Sequence, residues 1–122
     1  MTRACPCGSG LELDACCGPV VRNERPADTA EELMRSRYTA YVLGDVDHLF
    51  RSWHPATRPD DLAGLPTVEW TGLEVLEVVD GGPEDDRGIV EFSASHRGGS
   101  LHERSRFTRR GRRWVYLDGD VD

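Results

Sequence analysis

Four cysteines stand within the first seventeen residues, Cys5, Cys7, Cys16 and Cys17, and the remaining 105 residues have none. A disulfide framework spreads its sulfurs so as to tie distant parts of a chain together. This cluster could close only a short loop, and adjacent Cys16 and Cys17 can hardly bridge each other without strain. Four thiols in one short loop instead match tetrahedral Zn²⁺, which takes four thiolates at about 2.3 Å in closed structural sites. Reduced free thiols, a redox dithiol and an iron–sulfur site are the other chemistries open to such a set. A closed four-thiolate site has no open position for water or substrate. The expectation is therefore one structural zinc per chain, with docking as its further use.

The intervening residues must bring the two cysteine pairs together. Pro6 stiffens the first pair, and Gly8-Ser9-Gly10 allows a sharp reversal. Residues 11–15 are expected to form a helical turn that returns Cys16 and Cys17 to the ion, and Gly18-Pro19 to end the unit. Residues 20–28 are polar, contain Pro26 and read as a linker. Domain bounds of 1–22 and 23–122 follow. On this reading Leu11, Leu13, Val20 and Val21 are exposed on a small knob that needs metal to fold, and the body from Thr29 onward has a separate core.

Further along, Thr29-Ala30-Glu31-Glu32 is a capping box that opens a helix. Met34, Tyr38, Tyr41 and Val42 share one face of it, and Gly44 stops it. A second short helix runs from about Val46 to Trp53, capped by Asp45 or Asp47, with Leu49, Phe50 and Trp53 as its buried edge. An irregular segment then reaches Pro66. Four strands follow, at about 68–79, 88–96, 101–108 and 113–118, separated by Gly-rich turns. Two helices and then a four-stranded antiparallel meander give an α+β roll.

Cys5-Pro6-Cys7-Gly8-Ser9-Gly10 followed by Cys16-Cys17-Gly18 closely resembles the SEC-C zinc motif, known from the tail of the SecA translocase, where it is a docking element for partner proteins. Residues 30–38 with Ala40-Tyr41, then Trp53-His54-Pro55-Ala56-Thr57-Arg58-Pro59 and Trp114-Val115-Tyr116-Leu117-Asp118-Gly119, are similar to the YchJ family, also called UPF0225. The resemblance implies an NTF2-like (cystatin-like) fold behind the zinc motif. It implies no established activity. Some members carry a second SEC-C motif at the C-terminus, and this chain ends at Asp122 without one.

An NTF2-like sheet cups a pocket against its helices. Trp53, His54, His96, Glu103, Trp114 and Tyr116 are the residues expected to look into it. Glu103 beside a histidine would make an acid–base pair. No nucleophile, metal or cofactor motif accompanies that pair, so no catalytic residue is assigned; a structural hydrogen-bonded role is favoured for it, and the enzyme question stays open with a non-enzyme expected.

The chain has 122 residues, 38% hydrophobic and 30% charged, and a net charge of −7; all fifteen basic residues are Arg. That bounds it to one modest core. No apolar run reaches the roughly 18–20 residues of a membrane span, and no signal core follows the N-terminus, so the expected address is the cytoplasm. Six arginines crowd residues 104–113, an Arg-rich hairpin that could meet RNA or an acidic protein. Net negative charge opposes nucleic-acid binding. Protein interaction through the zinc knuckle is the leading expectation; small-molecule binding or catalysis in the cavity, and RNA or acidic-partner contact through the hairpin, are the alternatives.

Overall fold

The computed structural model describes residues 3–62 and 68–122. The end of the irregular segment expected to reach Pro66 lies outside them. A 3-10 turn, Leu13–Ala15, leads into helix α1 (Cys17–Val21), then α2 (Ala30–Leu43), α3 (Val46–Arg51) and strands β1 (Trp70–Asp80), β2 (Arg87–His96), β3 (Gly99–Arg110) and β4 (Arg113–Val121). The strands form one antiparallel sheet in the order β1-β2-β3-β4. Helix α2 lies across its inner face, so the molecule is the expected α+β roll with an open sheet.

Local chemistry sets the helix ends. The Thr29 hydroxyl accepts from the Glu32 amide at 3.0 Å, and the Glu32 carboxylate accepts from the Asp28 amide at 2.7 Å. One orphan donor of the first turn, and the amide just ahead of the cap, are thereby satisfied. Gly44 closes α2 at φ +74, a conformation that costs other residues energy. Asp45 caps α3 through the His48 amide at 3.1 Å. Helix α3 ends at Arg51, two residues short of Trp53. Phe50 is 49% exposed instead of buried. It carries the Arg58 guanidinium over its ring at 3.6 Å. A helix of six residues turns one edge inward, and Leu49 fills that edge.

Alternation along the strands assigns the two sheet faces. Leu73, Phe92, Glu103, Ser105, Phe107 and Tyr116 lie toward the helices. On the outer face Arg104 bridges Glu77 and Glu91, at 2.7 and 2.8 Å, and Arg106 pairs with Asp118 and Asp120. Arg109 donates to the Pro83 and Asp85 carbonyls and covers Trp114. Much of the arginine run is thus spent on ties across the sheet and its hairpins.

The N-terminal segment is not a separate knob. Val20 and Val21 are 4% and 3% exposed, against the expectation of an apolar docking surface. Val20 joins Ala27, Leu33, Phe107 and Trp114 in the main core. Val21 packs with Cys5, Cys7 and Cys17 against Tyr38 and Ala94. The core of the body and that of the cysteine loop are therefore continuous. Gly18-Pro19 sits inside the first turn of α1 instead of ending a unit. Pro is tolerated there because first-turn amides have no helical partner to lose.

One buried group makes the fold acid-sensitive. His48 is 4% exposed. Ser36 Oγ donates to the Leu33 carbonyl at 2.7 Å and so accepts from His48 Nε2 at 2.9 Å, which selects the neutral Nε2–H tautomer. Burial first, and then the charges of Arg37 and Arg51, lower its pKa from 6.5 to about 4. The unfolded chain protonates first as pH falls. Stability is therefore complete above pH 6.5 and declines toward pH 4, by up to about 3 kcal/mol from this residue. Urea titrations at pH 7 and pH 4.5 check this: His48→Gln should lose clearly less stability between the two than wild type. Equal losses would remove His48 from the account.

Candidate functional site

The cysteine loop is folded by backbone geometry. Cys5 donates to the Leu11 carbonyl at 2.9 Å, and Leu13 to the Arg3 carbonyl at 2.6 Å, with an antiparallel bridge between Ala4 and Glu12. Gly8 and Gly10 make the reversal at φ +80 and +87. The Leu13–Ala15 turn then returns the chain, as expected. The four Sγ atoms all lie within 4.8 Å of one another. Cys7 and Cys16 stand 3.7 Å apart, Cys16 and Cys17 4.0 Å. Four sulfurs at 2.3 Å from one ion would be spaced by about 3.8 Å, whereas a disulfide needs about 2.05 Å. The donor set and its spacing fit a tetrahedral thiolate site, and no disulfide is formed.

The surroundings prepare that site. Ser9 Oγ accepts from the Leu11 amide and stands 3.1 Å from Cys16 Sγ, within hydrogen-bond reach of the sulfur. Thr39 Oγ1 lies 3.8 Å from Cys5 Sγ. Arg35 donates to the Cys7 carbonyl at 2.9 Å and to Glu31 at 3.0 Å, which holds a positive charge beside the cluster. Such outer partners orient ligands and tune their basicity. The Cys17 hydrogen bond draws the Cys7 thiol down to about 4, and the same bond pushes Cys17 up. Burial raises Cys16. Without a cation these sulfurs share protons, and a divalent ion bound among them would take the protons' place.

Gly18 is needed for space. A Cβ there would stand 2.8 Å from the Leu13 carbonyl oxygen and 2.8 Å from the Arg22 guanidinium. Arg22 can swing away, but the carbonyl belongs to the turn that delivers Cys16. Gly18→Ala is accordingly expected to weaken metal retention at least tenfold in competition with a chelating dye, an effect of the 10–100-fold size seen for outer partners. Retention equal to wild type would show that the turn tolerates displacement.

The second feature is a cavity of about 290 Å³ between α2 and the inner sheet face. Of the six residues expected there, Trp53, Glu103 and Tyr116 line it and three do not. Trp114 shares a strand face with Tyr116 but lies nearer the β3–β4 hairpin, where it is buried in the main core and donates to the Asp28 carbonyl at 3.2 Å. His54 accepts from the Ala56 amide through Nδ1 at 3.0 Å, closing the turn after α3. His96 stands edge-on to Trp70 at 5.5 Å, at the end of β2. None of the four histidines is in the cavity wall. Glu103 therefore has no histidine partner there. Its Oε2 accepts from Ser105 Oγ at 2.6 Å and from Tyr116 Oη at 2.9 Å. Gly119 leaves the room its carboxylate occupies. Burial, and then the Glu103 charge, raise the Tyr116 pKa, so the phenol keeps its proton for that bond.

Arg37, absent from the expected set, also lines the cavity. It falls at i+3 from Met34 and i−4 from Tyr41, on the apolar stripe of α2. A charge interrupting that stripe was the signal available for finding it. Tyr38 and Ala94 belong both to the cavity wall and to the packing around the cysteines, so the two features share a partition.

Two family models match the chain. A SEC-C motif model matches residues 1–19, and a model for the middle NTF2-like domain of YchJ matches residues 29–119. A UPF0225 protein of Streptomyces coelicolor is 52% identical over 98% of this chain and 96% of its own length. One from Chromobacterium violaceum is 48% identical over 97% and 93%. Among solved structures, a SEC-C motif containing protein from Rhodopseudomonas palustris superimposes with a TM-score of 0.80 at 36% identity, covering 97% of this chain and 98% of that one. Another from Psychrobacter arcticus gives 0.73 at 28% identity, covering 97% and 82%.

Proposed function

The chain belongs to the UPF0225 family, a SEC-C motif followed by a YchJ-type NTF2-like domain, and from that premise we propose a zinc-stapled small-molecule-binding protein. In this reading Cys5, Cys7, Cys16 and Cys17 hold one structural Zn²⁺ as thiolates. The ion ties the N-terminal segment against Tyr38 and Ala94 and takes no part in chemistry, because four protein sulfurs leave it no open position. The working part is the cavity. The observation that carries this is its enclosure of about 290 Å³ by Trp53, Trp70, Phe92 and Phe107, with few polar groups among them. Small-molecule sites are concave and mostly apolar, with a few placed polar groups, and run from about 300 Å³ upward. The ligand is accordingly small, of one or two rings. Of the knuckle residues expected to dock a protein, Leu11 is 54% exposed while both valines are core.

The test follows the indole NH signals in ¹H–¹⁵N spectra while small aromatic compounds are added. Trp53 and Trp70 should shift in a saturable way and Trp114 should not. If no compound moves them, or if Trp114 moves equally, the cavity is not a binding site.

A further inference from the structure

The cavity wall carries two opposite charges that do not pair with each other. Arg37 is 6% exposed, and its guanidinium is held over the Trp53 and Tyr116 rings at 4.9 and 4.7 Å. Its hydrogen bonds go to the Leu49 carbonyl at 3.2 Å and to Ser52 Oγ at 2.6 Å, both from Nη1. Nε and Nη2 have no partner among the described residues. A buried guanidinium normally meets a carboxylate, frequently in a two-pronged bond. Glu103 lines the same cavity, and both its bonds fall on Oε2. Its Oε1 has no partner among the described residues. Donors and an acceptor are thus left unspent on one otherwise apolar wall.

We infer that the cavity takes a small aromatic molecule with a neutral planar amide head, whose carbonyl accepts from Arg37 and whose N–H donates to Glu103. This rests on the cavity being a binding site. The opposite charges cancel, so a neutral head satisfies both. A carboxylate head would reach Arg37 but face the Glu103 charge in a site of low dielectric. An ammonium head would face Arg37 in the same way. A wholly apolar molecule would leave both buried groups unmatched, and a site built to hydrogen-bond a ligand discriminates strongly against one lacking the group. The ring would lie among Trp70, Phe92 and Phe107.

The experiment uses the full-length metal-loaded protein with benzamide, benzoate and toluene as probes, read by the Trp53 and Trp70 indole signals. Benzamide is expected to bind at least tenfold more tightly than either of the others. In Glu103→Gln, which can still accept from Ser105 and Tyr116, benzoate should gain at least tenfold and benzamide should lose its advantage over it. Toluene binding as well as benzamide, or benzoate binding wild type best, would overturn the inference while leaving the cavity a binding site. An unchanged preference in Glu103→Gln, with the variant folded, would overturn it too. Binding of none of the three would remove both the inference and the reading beneath it. The wild-type comparison does not depend on the variant.

Discussion

Stripping the metal with a chelator, or replacing Cys7 by Ser, is expected to lower the melting temperature of the entire chain by at least about 20 °C, in a single transition. Short zinc units draw about 10–16 kcal/mol from their ion, and a whole domain is stable by only about 5–15 kcal/mol. Cys7 is fully buried, and with Cys5, Cys17 and Val21 it packs directly against Tyr38 and Ala94. Loosening the loop therefore exposes the back of the cavity wall. Trp70, edge-on to Tyr38 at 6.2 Å, should report the same event through its fluorescence. Calorimetry with and without chelator makes the measurement. A second, separate transition, or a melting point unmoved by chelation, would mean the loop is an appendage of a self-sufficient body.

Trp114→Ala should destabilise the protein by about 3–5 kcal/mol, the usual loss for a large aromatic removed from a packed core. Trp114 is 2% exposed, fills the core beside Val20, Ala27 and Leu33, and spends its indole N–H on the Asp28 carbonyl. Trp53→Ala should cost less than half as much. That ring is half-buried, already faces an open cavity, and its Nε1 has no hydrogen bond among the described residues. Denaturant unfolding of the two variants separates the roles, and equal losses would refute the division between a core tryptophan and a cavity tryptophan.

The contrast between these two residues shows what a linear pattern reveals. Alternation along β4 correctly puts Trp114 and Tyr116 on one face, but it carries no information on position along the sheet. That depends on where α2 crosses, and on the irregularity in pairing between Arg106 and Phe107. The helix caps at Thr29 and Gly44, the meander and the meeting of the four cysteines were legible because each depends on local chemistry or on a motif. The burial of Val20 and Val21 was not, because it depends on surfaces supplied by Leu33 and Ala94 from elsewhere in the chain. Arg37 was hidden by its type. A guanidinium reads as surface unless the apolar residues three and four positions away are given equal weight. His48 gave no sign at all, since its neutrality comes first from burial and then from the charges of Arg37 and Arg51, and burial is set by the tertiary fold.

On the proposed reading the four sulfurs close on one ion and so join the N-terminal loop to the body. X-ray absorption at the zinc edge, on protein purified without added metal and assayed for content, tests it most directly. One zinc per chain surrounded by four sulfur scatterers at about 2.3 Å is the predicted result. Nitrogen or oxygen in the inner sphere, or protein that is fully folded with its cysteines oxidised and no metal, would contradict it.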